Sequence, residues 1–339
     1  MAEVELLKAN TVEELLKTCP KNQVIGDNLI RAWSIINKDK YQKICCSVSG
    51  GSDSDVMLDI IWRCDKDNKV EYVWFDTGLE YQATKEHLKY LEEKYNIQIK
   101  TFKAIKPIPI SCKMYGQPFI SKQVSENIYR MQKHNFTWED KSYEDLLDSG
   151  VPMYLAKWWC NKYQPSISSY NINRNKYLKQ FLIINPPPFK ISSQCCKYAK
   201  KDLNKAVIKE MGYDLMITGV RKAEGGARAA KYKNCFTEND EKCDFYRPLF
   251  WYKEADKIDY ETNYGIAHSK CYTKYGFKRT GCAGCPYNKE VDEDLTIIQE
   301  YEPNLYKAAH HIFGDSYEYT YRYREFVKEM DKKKKETKE

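Results

Sequence analysis

One short run in this 339-residue sequence has residue types suited to binding an anion. Ser49–Ser54 reads SGGSDS and lies between a short apolar run and a segment with helical character. Glycines let the backbone adopt positive φ and approach a ligand closely. Serine hydroxyls and the free N–H groups at the start of a helix can hold phosphate oxygens. The run therefore predicts a phosphate-binding loop; the alternative is an ordinary strand-to-helix turn rich in small residues.

A second group of chemically competent residues consists of cysteines. Cys195 and Cys196 are adjacent, and Cys282 and Cys285 form a C-x-x-C pair. Together they make a four-thiolate set of the kind that binds an iron–sulfur cluster or zinc, with no metal as the alternative. Nearby cysteines that could substitute for one ligand are Cys235, Cys243 and Cys271. Cysteines expected to be small core residues are Cys45, Cys46 and Cys64.

Composition excludes several classes of protein. The mean hydropathy is −0.72, and no apolar run approaches the ~20 residues that a membrane-spanning helix needs. The first twenty residues are acidic and amphipathic, so we expect no secretory signal. We therefore expect a cytoplasmic protein whose thirteen cysteines stay reduced, because disulfides are rare in that compartment.

The net charge of +7 is unevenly distributed. Residues 97–205 hold 18 Lys and Arg against 7 Asp and Glu, and the remainder is net negative. The same region carries these aromatic residues: Trp138, Trp158, Trp159, Tyr163, Tyr170 and Tyr177. Basic groups attract phosphates and aromatic rings stack on bases, so region 97–205 predicts binding of a nucleic acid, tRNA or DNA. The alternative is a solvated basic surface with ordinary core aromatics.

The elements that must position these residues follow from the apolar pattern. Residues 1–40 predict two helices. Short apolar runs predict strands at 43–48, 70–75, 97–105 and 215–218, with helical segments at 56–62, 83–95 and 197–211. This alternation predicts parallel βαβ units, and hence an α/β fold with a doubly wound parallel sheet. Ligands bind at the carboxyl ends of such strands, where the loop 49–54 lies.

The predicted organisation has four parts. A helical segment covers 1–40, and a nucleotide-binding α/β domain covers 41–235. That domain is interrupted at about 106–190 by a proline-rich insertion of short helices and loops. A helical C-terminal region with the C-x-x-C pair covers 236–330, and a basic disordered tail covers 331–339.

Four motifs resemble those of a known family. The run SGGSDS after a first strand resembles the pyrophosphate loop of the PP-loop ATP pyrophosphatase superfamily, whose fold is adenine nucleotide alpha hydrolase-like. The runs FDTGLEY at 75–81, ITGVR at 217–221 and YGFKRTGCAGCP at 275–286 resemble its adenylyl-sulfate and phosphoadenylyl-sulfate (PAPS) reductase branch. The resemblance covers roughly residues 41–290.

The resemblance implies roles for the matching positions. The β,γ-phosphates of ATP, or the sulfate or phosphate of adenylyl sulfate or PAPS, would be held by Ser49, Gly50, Gly51, Ser52, Asp53 and Ser54. The nucleotide pocket would include Asp76, Thr77, Gly78 and Gly219. The anionic groups would face Arg221 and Arg228; a surface ion pair is the alternative for each arginine. A [4Fe–4S] cluster would be bound by Cys195, Cys196, Cys282 and Cys285, or by three of them.

This chain departs from the superfamily at one position of the loop. Many members carry a lysine in the middle of the loop, where this chain has Ser52. A cation must then come from elsewhere, and we expect Mg²⁺ or Arg221 to supply it.

The preferred hypothesis is a sulfur-transfer enzyme, with Asp53, Arg221 and Cys195 in its catalytic machinery. ATP would adenylylate an oxygen of tRNA or DNA and release pyrophosphate. Sulfur from the cluster, or from a persulfide on a cluster cysteine, would then displace AMP. Expected partners are the nucleic acid and a sulfur donor such as a cysteine desulfurase. No membrane partner is expected, and a homodimer is left open.

Two other functions remain open. The first is a PAPS or adenylyl-sulfate reductase that produces sulfite. No cysteine follows Cys285 in the sequence, which counts against this chemistry because it needs a separate thiolate to attack the sulfate sulfur. The second is a non-catalytic regulator that binds a nucleotide and a cluster.

Overall fold

The computed structural model describes residues 6–165, 168, 170–225, 231–239 and 243–337. The strands in these ranges are β1 (Ile44–Ser47), β2 (Val70–Asp76), β3 (Ile99–Lys103), β4 (Leu215–Ile217), β5 (Phe236–Thr237) and β6 (Asp244–Tyr246). They form one sheet in the order β3-β2-β1-β4-β6-β5. Its neighbouring strands are parallel, except that β5 runs antiparallel to β6.

Fifteen α-helices lie in the same described ranges. In chain order they are α1 (Val12–Lys17), α2 (Gln23–Ile36), α3 (Ser52–Cys64), α4 (Gln82–Tyr95), α5 (Ile108–Tyr115), α6 (Lys122–Lys133), α7 (Tyr143–Asp148), α8 (Met153–Trp159), α9 (Leu178–Ile184), α10 (Gln194–Cys196), α11 (Leu203–Met211), α12 (Glu254–Tyr264), α13 (Lys270–Thr273), α14 (Val291–Tyr301) and α15 (Pro303–Glu336). A π-helical stretch, Lys197–Asp202, lies between α10 and α11, so the helix predicted at 197–211 is α-helical only in its second part.

The chain divides into two compact units. The first comprises Met1–Ala104 and Lys200–Gly281 and contains the whole sheet. The second comprises Ile105–Ala199 and Cys282–Glu339. The domain boundaries expected at 40, 235 and 330 stay a prediction.

In the first unit, β1 is the pivot of the sheet. Ile44 pairs with Val70 of β2 on one side and with Leu215 of β4 on the other. The runs ICCS and LMI are nearly continuous in apolar or small residues because helices cover both faces of a parallel sheet. The predicted α/β doubly wound sheet is confirmed. From β1 the chain passes to β2 and β3 on one side of β1, and it then continues with β4 on the other side. This reversal places a topological switch point at the carboxyl end of β1.

The second unit is helical around its own core. Helices α5 to α9 supply the short helices predicted for 106–190. The core includes Phe119, Trp158, Trp159, Phe181 and Tyr319. Tyr319 lies on α15, and its ring centroid is 5.0 Å from that of Phe181. The long C-terminal helix therefore packs on the short helices of the same unit.

The C-terminal basic run corrects one expectation. Residues 331–339 were expected to form a disordered tail, but α15 continues to Glu336. Residues 338–339 lie outside the described ranges. Each residue added to an existing helix gains a backbone hydrogen bond, and lysines at a helix C-terminus interact favourably with its dipole. Lys332 also lies 4.0 Å from Glu336, one turn further along. This helix has 34 residues but is polar, and none of the described helices is both long and apolar enough to cross a membrane.

Candidate functional site

The loop after β1 has the backbone geometry that its glycines predict. Gly50 has φ +67°, and a Cβ atom there would lie 2.8 Å from Cγ2 of Thr84. Gly51 is the N-cap of α3 and contributes no side-chain hydrogen bond to the helix. The N–H of Ser49 donates to Oγ of Ser54 at 2.8 Å, which closes the loop. The first N–H groups of an α-helix have no acceptor within the helix, so this end of α3 suits an anion.

A tyrosine hydroxyl lies at this helix end. Oη of Tyr272 is 3.0 Å from Oγ1 of Thr280 and accepts from the Thr280 N–H at 3.3 Å. It also hydrogen-bonds the backbone of Ser52, and a Cβ atom on Gly51 would lie 3.2 Å from it. Burial raises the pKa of Tyr272. The Tyr272 hydroxyl thus links Thr280, in the motif at 275–286, to Ser52 of the loop, a contact that the sequence does not reveal.

The turn after β2 lies at the same edge of the sheet, because β2 is parallel to β1. The N–H of Gly78, at φ +84°, donates to Oδ1 of Asp76 at 2.8 Å. The hydroxyl of Thr77 donates to Glu80, and burial raises the pKa of Glu80. The expected pocket residues Asp76, Thr77 and Gly78 therefore form an internally bonded turn at the strand's carboxyl end.

The segment after β4 packs directly on the first turn of α3. A Cβ atom on Gly219 would lie 3.3 Å from the backbone oxygen of Asp53. Arg221 is buried, with Nε 2.9 Å from Oδ1 of Asp53 and Nη1 2.9 Å from Oε2 of Glu254. Burial opposes its charge, but these two carboxylates outweigh it and raise the pKa of Arg221. Arg221 thus belongs to the loop rather than to the surface, whereas Arg228 lies outside the described residues.

The contact between Arg221 and Asp53 is an ion pair without hydrogen-bond alignment. Among the residues that the structure describes, neither Nε of Arg221 nor Oδ1 of Asp53 has an aligned hydrogen-bond partner. Buried polar atoms are rarely left in this state, and such atoms often mark a site for a ligand or an ion.

Lys257 is a second buried cation at the loop. Its Nζ lies 2.9 Å from Oγ of Ser52, 3.4 Å from Oδ1 of Asp53 and 3.3 Å from Oε1 of Glu261. The side chain is 8% exposed. Sequence reasoning missed Lys257 because α12 carries no recognised motif. The sole hint was Ser52, which implied that a cation must come from another part of the chain.

Lys257 is the first of a series of titratable side chains that contact one another in turn: Lys257, Glu261, His268, Asp55 and His87. His268 contacts Oε1 of Glu261 through Nε2 at 2.9 Å and Oδ2 of Asp55 through Nδ1 at 2.8 Å. Nε2 of His87 lies 2.9 Å from the other oxygen of Asp55. Burial opposes the charged imidazolium, but the hydrogen bonds to Asp55 and Glu261 prevail and raise the pKa of His268 to about 9. His268 is therefore a cation at neutral pH.

These groups together suit a polyphosphate. The N-terminus of α3 offers backbone donors, and Arg221 and Lys257 contact side chains of its first turn from other segments. Arginine donates two hydrogen bonds to one phosphate, and lysine acts as a point charge. The site can therefore bind two adjacent phosphates and stabilise negative charge that develops between them.

The second unit brings together three of the four motif cysteines and one that was not expected. Cys112 of α5 and Cys196 both lie within hydrogen-bonding reach of Cys195. The contact with Cys112, with burial adding to it, raises the pKa of Cys195. The thiol of Cys285 is close enough to act electrostatically on Cys195 and on the buried Tyr287. Cys282 lies at the turn where its carbonyl accepts from the Cys285 N–H at 3.2 Å.

The chemistry of these cysteines suits an iron–sulfur cluster. Thiolates are the ligands that iron–sulfur clusters take. Within the described ranges, however, no group of three or more His, Cys, Asp or Glu side chains is placed to hold a metal ion. All thirteen cysteines fall in those ranges and are free of disulfides. The ligand set Cys195, Cys196, Cys282 and Cys285 and the Mg²⁺ site stay predictions.

Comparison with known proteins identifies the family. The model of the phosphoadenosine phosphosulfate reductase domain matches residues 43–143 and 162–288. The chain belongs to the phosphoadenosine phosphosulfate reductase family. No curated protein matches the sequence significantly.

Three solved structures are reported as similar in fold. The phosphoadenylyl-sulfate reductase of Candida auris, in a phosphate complex, is 15% identical, covers 81% of this chain and 96% of its own, and has a TM-score of 0.41. The U34-tRNA thiolase NcsA of Methanococcus maripaludis with its [4Fe-4S] cluster is 14% identical, with coverages of 90% and 79% and a TM-score of 0.38. The NH3-dependent NAD synthetase of Campylobacter jejuni is 12% identical, with coverages of 88% and 95% and a TM-score of 0.36. At these scores the likenesses carry no argument about activity.

Some aromatic residues of the basic region 97–205 lie in the core and others at the surface. Trp158 and Trp159 are buried in the core of the second unit, so they do not stack on bases. Tyr170, in contrast, is 62% exposed. Exposed basic side chains of the second unit include Lys122, Lys133, Arg174 and Lys190. The role of region 97–205 in binding nucleic acid stays a prediction.

Proposed function

We propose that this member of the phosphoadenosine phosphosulfate reductase family is an ATP-dependent sulfurtransferase that acts on tRNA or DNA. The observation that carries the proposal is the convergence of Arg221, Lys257 and the N-terminus of α3 on one loop. A helix N-terminus flanked by two cationic side chains can donate to both phosphates of a pyrophosphate group. In this structure the same cations also pair with Asp53, Glu254 and Glu261.

In the first step, an oxygen of the nucleic acid attacks the α-phosphorus of ATP. The bond from that phosphorus to the bridging oxygen breaks, and pyrophosphate leaves with the electron pair. Negative charge grows on the leaving group, where Arg221 and the amides of α3 stabilise it. Asp53 orients Arg221 through their ion pair. Mg²⁺, when bound with the nucleotide, would share the charge of the phosphates.

In the second step, hydrosulfide attacks the carbon that bears the adenylylated oxygen. The carbon–oxygen bond breaks and AMP leaves, so one ATP is spent for each sulfur installed and no electrons are exchanged with the substrate. A donor such as a cysteine desulfurase, working with a thiol reductant, would supply the sulfide, and we assign its reception to the cysteines around Cys195. A [4Fe–4S] cluster on these cysteines, when bound, would hold sulfide before transfer.

A nucleic acid is the favoured substrate because of charge. The exposed lysines and arginines of region 97–205 would neutralise backbone phosphates, and the exposed ring of Tyr170 could stack on a base. Such binding weakens steeply with added salt, which separates it from binding of a small neutral substrate.

The family match itself favours one alternative, a PAPS or adenylyl-sulfate reductase. In that reaction a thiolate attacks the sulfate sulfur, the adenosine phosphate leaves, and a second thiol releases sulfite. A third option is a regulator that binds ATP without turning it over.

One set of assays on anaerobically purified protein separates the three. [α-³²P]ATP is incubated with tRNA or DNA and a sulfide donor, and labelled sulfonucleotide is incubated with thioredoxin. We expect AMP that depends on the nucleic acid, and no sulfite. Sulfite release would establish the reductase, and ATP binding without AMP in every mixture would establish the regulator.

A further inference from the structure

We propose that Lys257 contacts the phosphates of the bound nucleotide and supplies from α12 the positive charge that the loop lacks at position 52. The inference rests on the proposed nucleotide-binding function and adds a residue to it. The loop and α12 are about 200 residues apart in the sequence but adjacent in the first unit.

The position of the ammonium group is the first argument. Nζ of Lys257 lies 2.9 Å from Oγ of Ser52, so it stands one hydrogen bond beyond the side chain of the middle loop residue. Ser52 is also the first residue of α3, whose N-terminal end attracts anions. The positive charge of Lys257 therefore adds to the partial positive charge of the α3 N-terminus, and both attract an anion.

The partners of Lys257 are the second argument. Burying an ammonium group is costly unless it is paired, and Lys257 is 8% exposed. Its two nearest carboxylates each contact another cation, since Asp53 also meets Arg221 and Glu261 also meets His268. Glu254, 4.0 Å away, likewise also meets Arg221, and the remaining partner, the Ser52 hydroxyl, is neutral. Exchanging that hydroxyl for a phosphate oxygen would replace a neutral acceptor by a charged one, and charge-assisted bonds are about twice as strong.

Isothermal titration of the full chain with inorganic pyrophosphate, and then with ATP, tests the inference. We expect Lys257→Met to weaken binding of both by about 10- to 100-fold, as for loss of a hydrogen bond to a charged group. Lys89→Met removes an exposed charge elsewhere in the same unit and should bind as the wild type does. The double variant Ser52→Lys/Lys257→Met returns a lysine to the loop and should recover most of the affinity.

Circular dichroism establishes that each variant is folded. A folded Lys257→Met that binds pyrophosphate like the wild type would overturn the role of Lys257 and leave the proposed function standing. Failure of the wild type to bind pyrophosphate or ATP would overturn both.

A measurement on the wild type decides the matter even if Lys257→Met does not fold. An amine-reactive reagent is applied with and without pyrophosphate, and labelling is followed by mass spectrometry. Pyrophosphate should slow labelling of Lys257 and leave that of Lys89 unchanged. Equal labelling of Lys257 in both conditions would contradict the contact.

Discussion

Nε of Arg221 lies 2.9 Å from Oδ1 of Asp53, which joins the segment after β4 to the first turn of α3. The two segments leave neighbouring strands at the carboxyl edge of the sheet. A single ion pair thus joins two motifs that lie 168 residues apart in the sequence, and the same carboxylate also faces Lys257.

Arg221→Met should reduce the rate of AMP formation by about 100-fold, because it removes a donor aimed at the leaving pyrophosphate. Arg221→Lys keeps the charge but loses the planar guanidinium group, so its rate of AMP formation should lie between those of Arg221→Met and the wild type. The control is Lys222→Met, which removes the exposed charge next in sequence. AMP formation at the wild-type rate in Arg221→Met would remove Arg221 from the site.

Gly50→Ala should destabilise the protein and abolish ATP binding. A left-handed backbone costs a non-glycine residue about 1–2 kcal/mol, and here the new Cβ also meets Cγ2 of Thr84 at 2.8 Å. Gly212→Ala has nearly the same φ, +66°, with no atom within 4 Å of the new Cβ, so it measures the backbone cost alone. In urea unfolding, Gly50→Ala should have a lower free energy of unfolding than Gly212→Ala. Adding Thr84→Ser, which removes the methyl group, should recover part of the difference.

The stability of the protein should depend on the charge of His268. Its pKa is about 9 when folded, above the ordinary value of 6.5, because Asp55 and Glu261 stabilise the imidazolium. Its contribution is therefore fully present below about pH 6.5 and lost as the pH rises through about 9. Between about pH 6 and pH 9.5, the wild type should lose about 3 kcal/mol more unfolding free energy than His268→Gln does. Parallel stability curves for the two proteins would show that His268 does not gain its proton on folding.

A single cysteine-to-serine substitution in either motif should lower the iron content of anaerobically purified protein, because it removes a thiolate ligand. The four variants are Cys195→Ser, Cys196→Ser, Cys282→Ser and Cys285→Ser. The matched control is Cys112→Ser, a buried thiol within reach of Cys195 but outside both motifs. It should keep its iron and the broad absorbance of a cluster. If Cys112→Ser loses iron while Cys282→Ser keeps it, Cys112 is the fourth ligand. A colourless wild type with bound zinc would contradict the cluster itself.

Local patterns made the sheet and the loop predictable. The strand β1, the run SGGSDS and the start of α3 are consecutive, so residue type, glycine spacing and helix onset all report on the same turn. Arg221 was identified from the resemblance of the run ITGVR at 217–221, which begins at the end of β4, to a motif of the family. The two N-terminal helices were predicted correctly for a similar reason, since Thr11 caps α1 by accepting from the Glu14 N–H.

Contacts between distant segments were not predictable in this way. Lys257 and His268 belong to stretches without a motif, and only the folded chain brings them to Ser52 and Asp55. Cys112 was not singled out because a lone cysteine on a helix has no ligand spacing. Trp158 and Trp159 lie in a basic region, and composition alone cannot separate a core tryptophan from a stacking one.

The proposed function requires that ATP be spent to place sulfur on a nucleic acid. The most direct measurement supplies [³⁵S]sulfide and [α-³²P]ATP together and counts both labels after incubation with tRNA or DNA. We expect ³⁵S in the nucleic acid only when ATP is present, with one AMP formed for each sulfur incorporated. Sulfur incorporation without AMP, or AMP formation without sulfur in the nucleic acid, would contradict it.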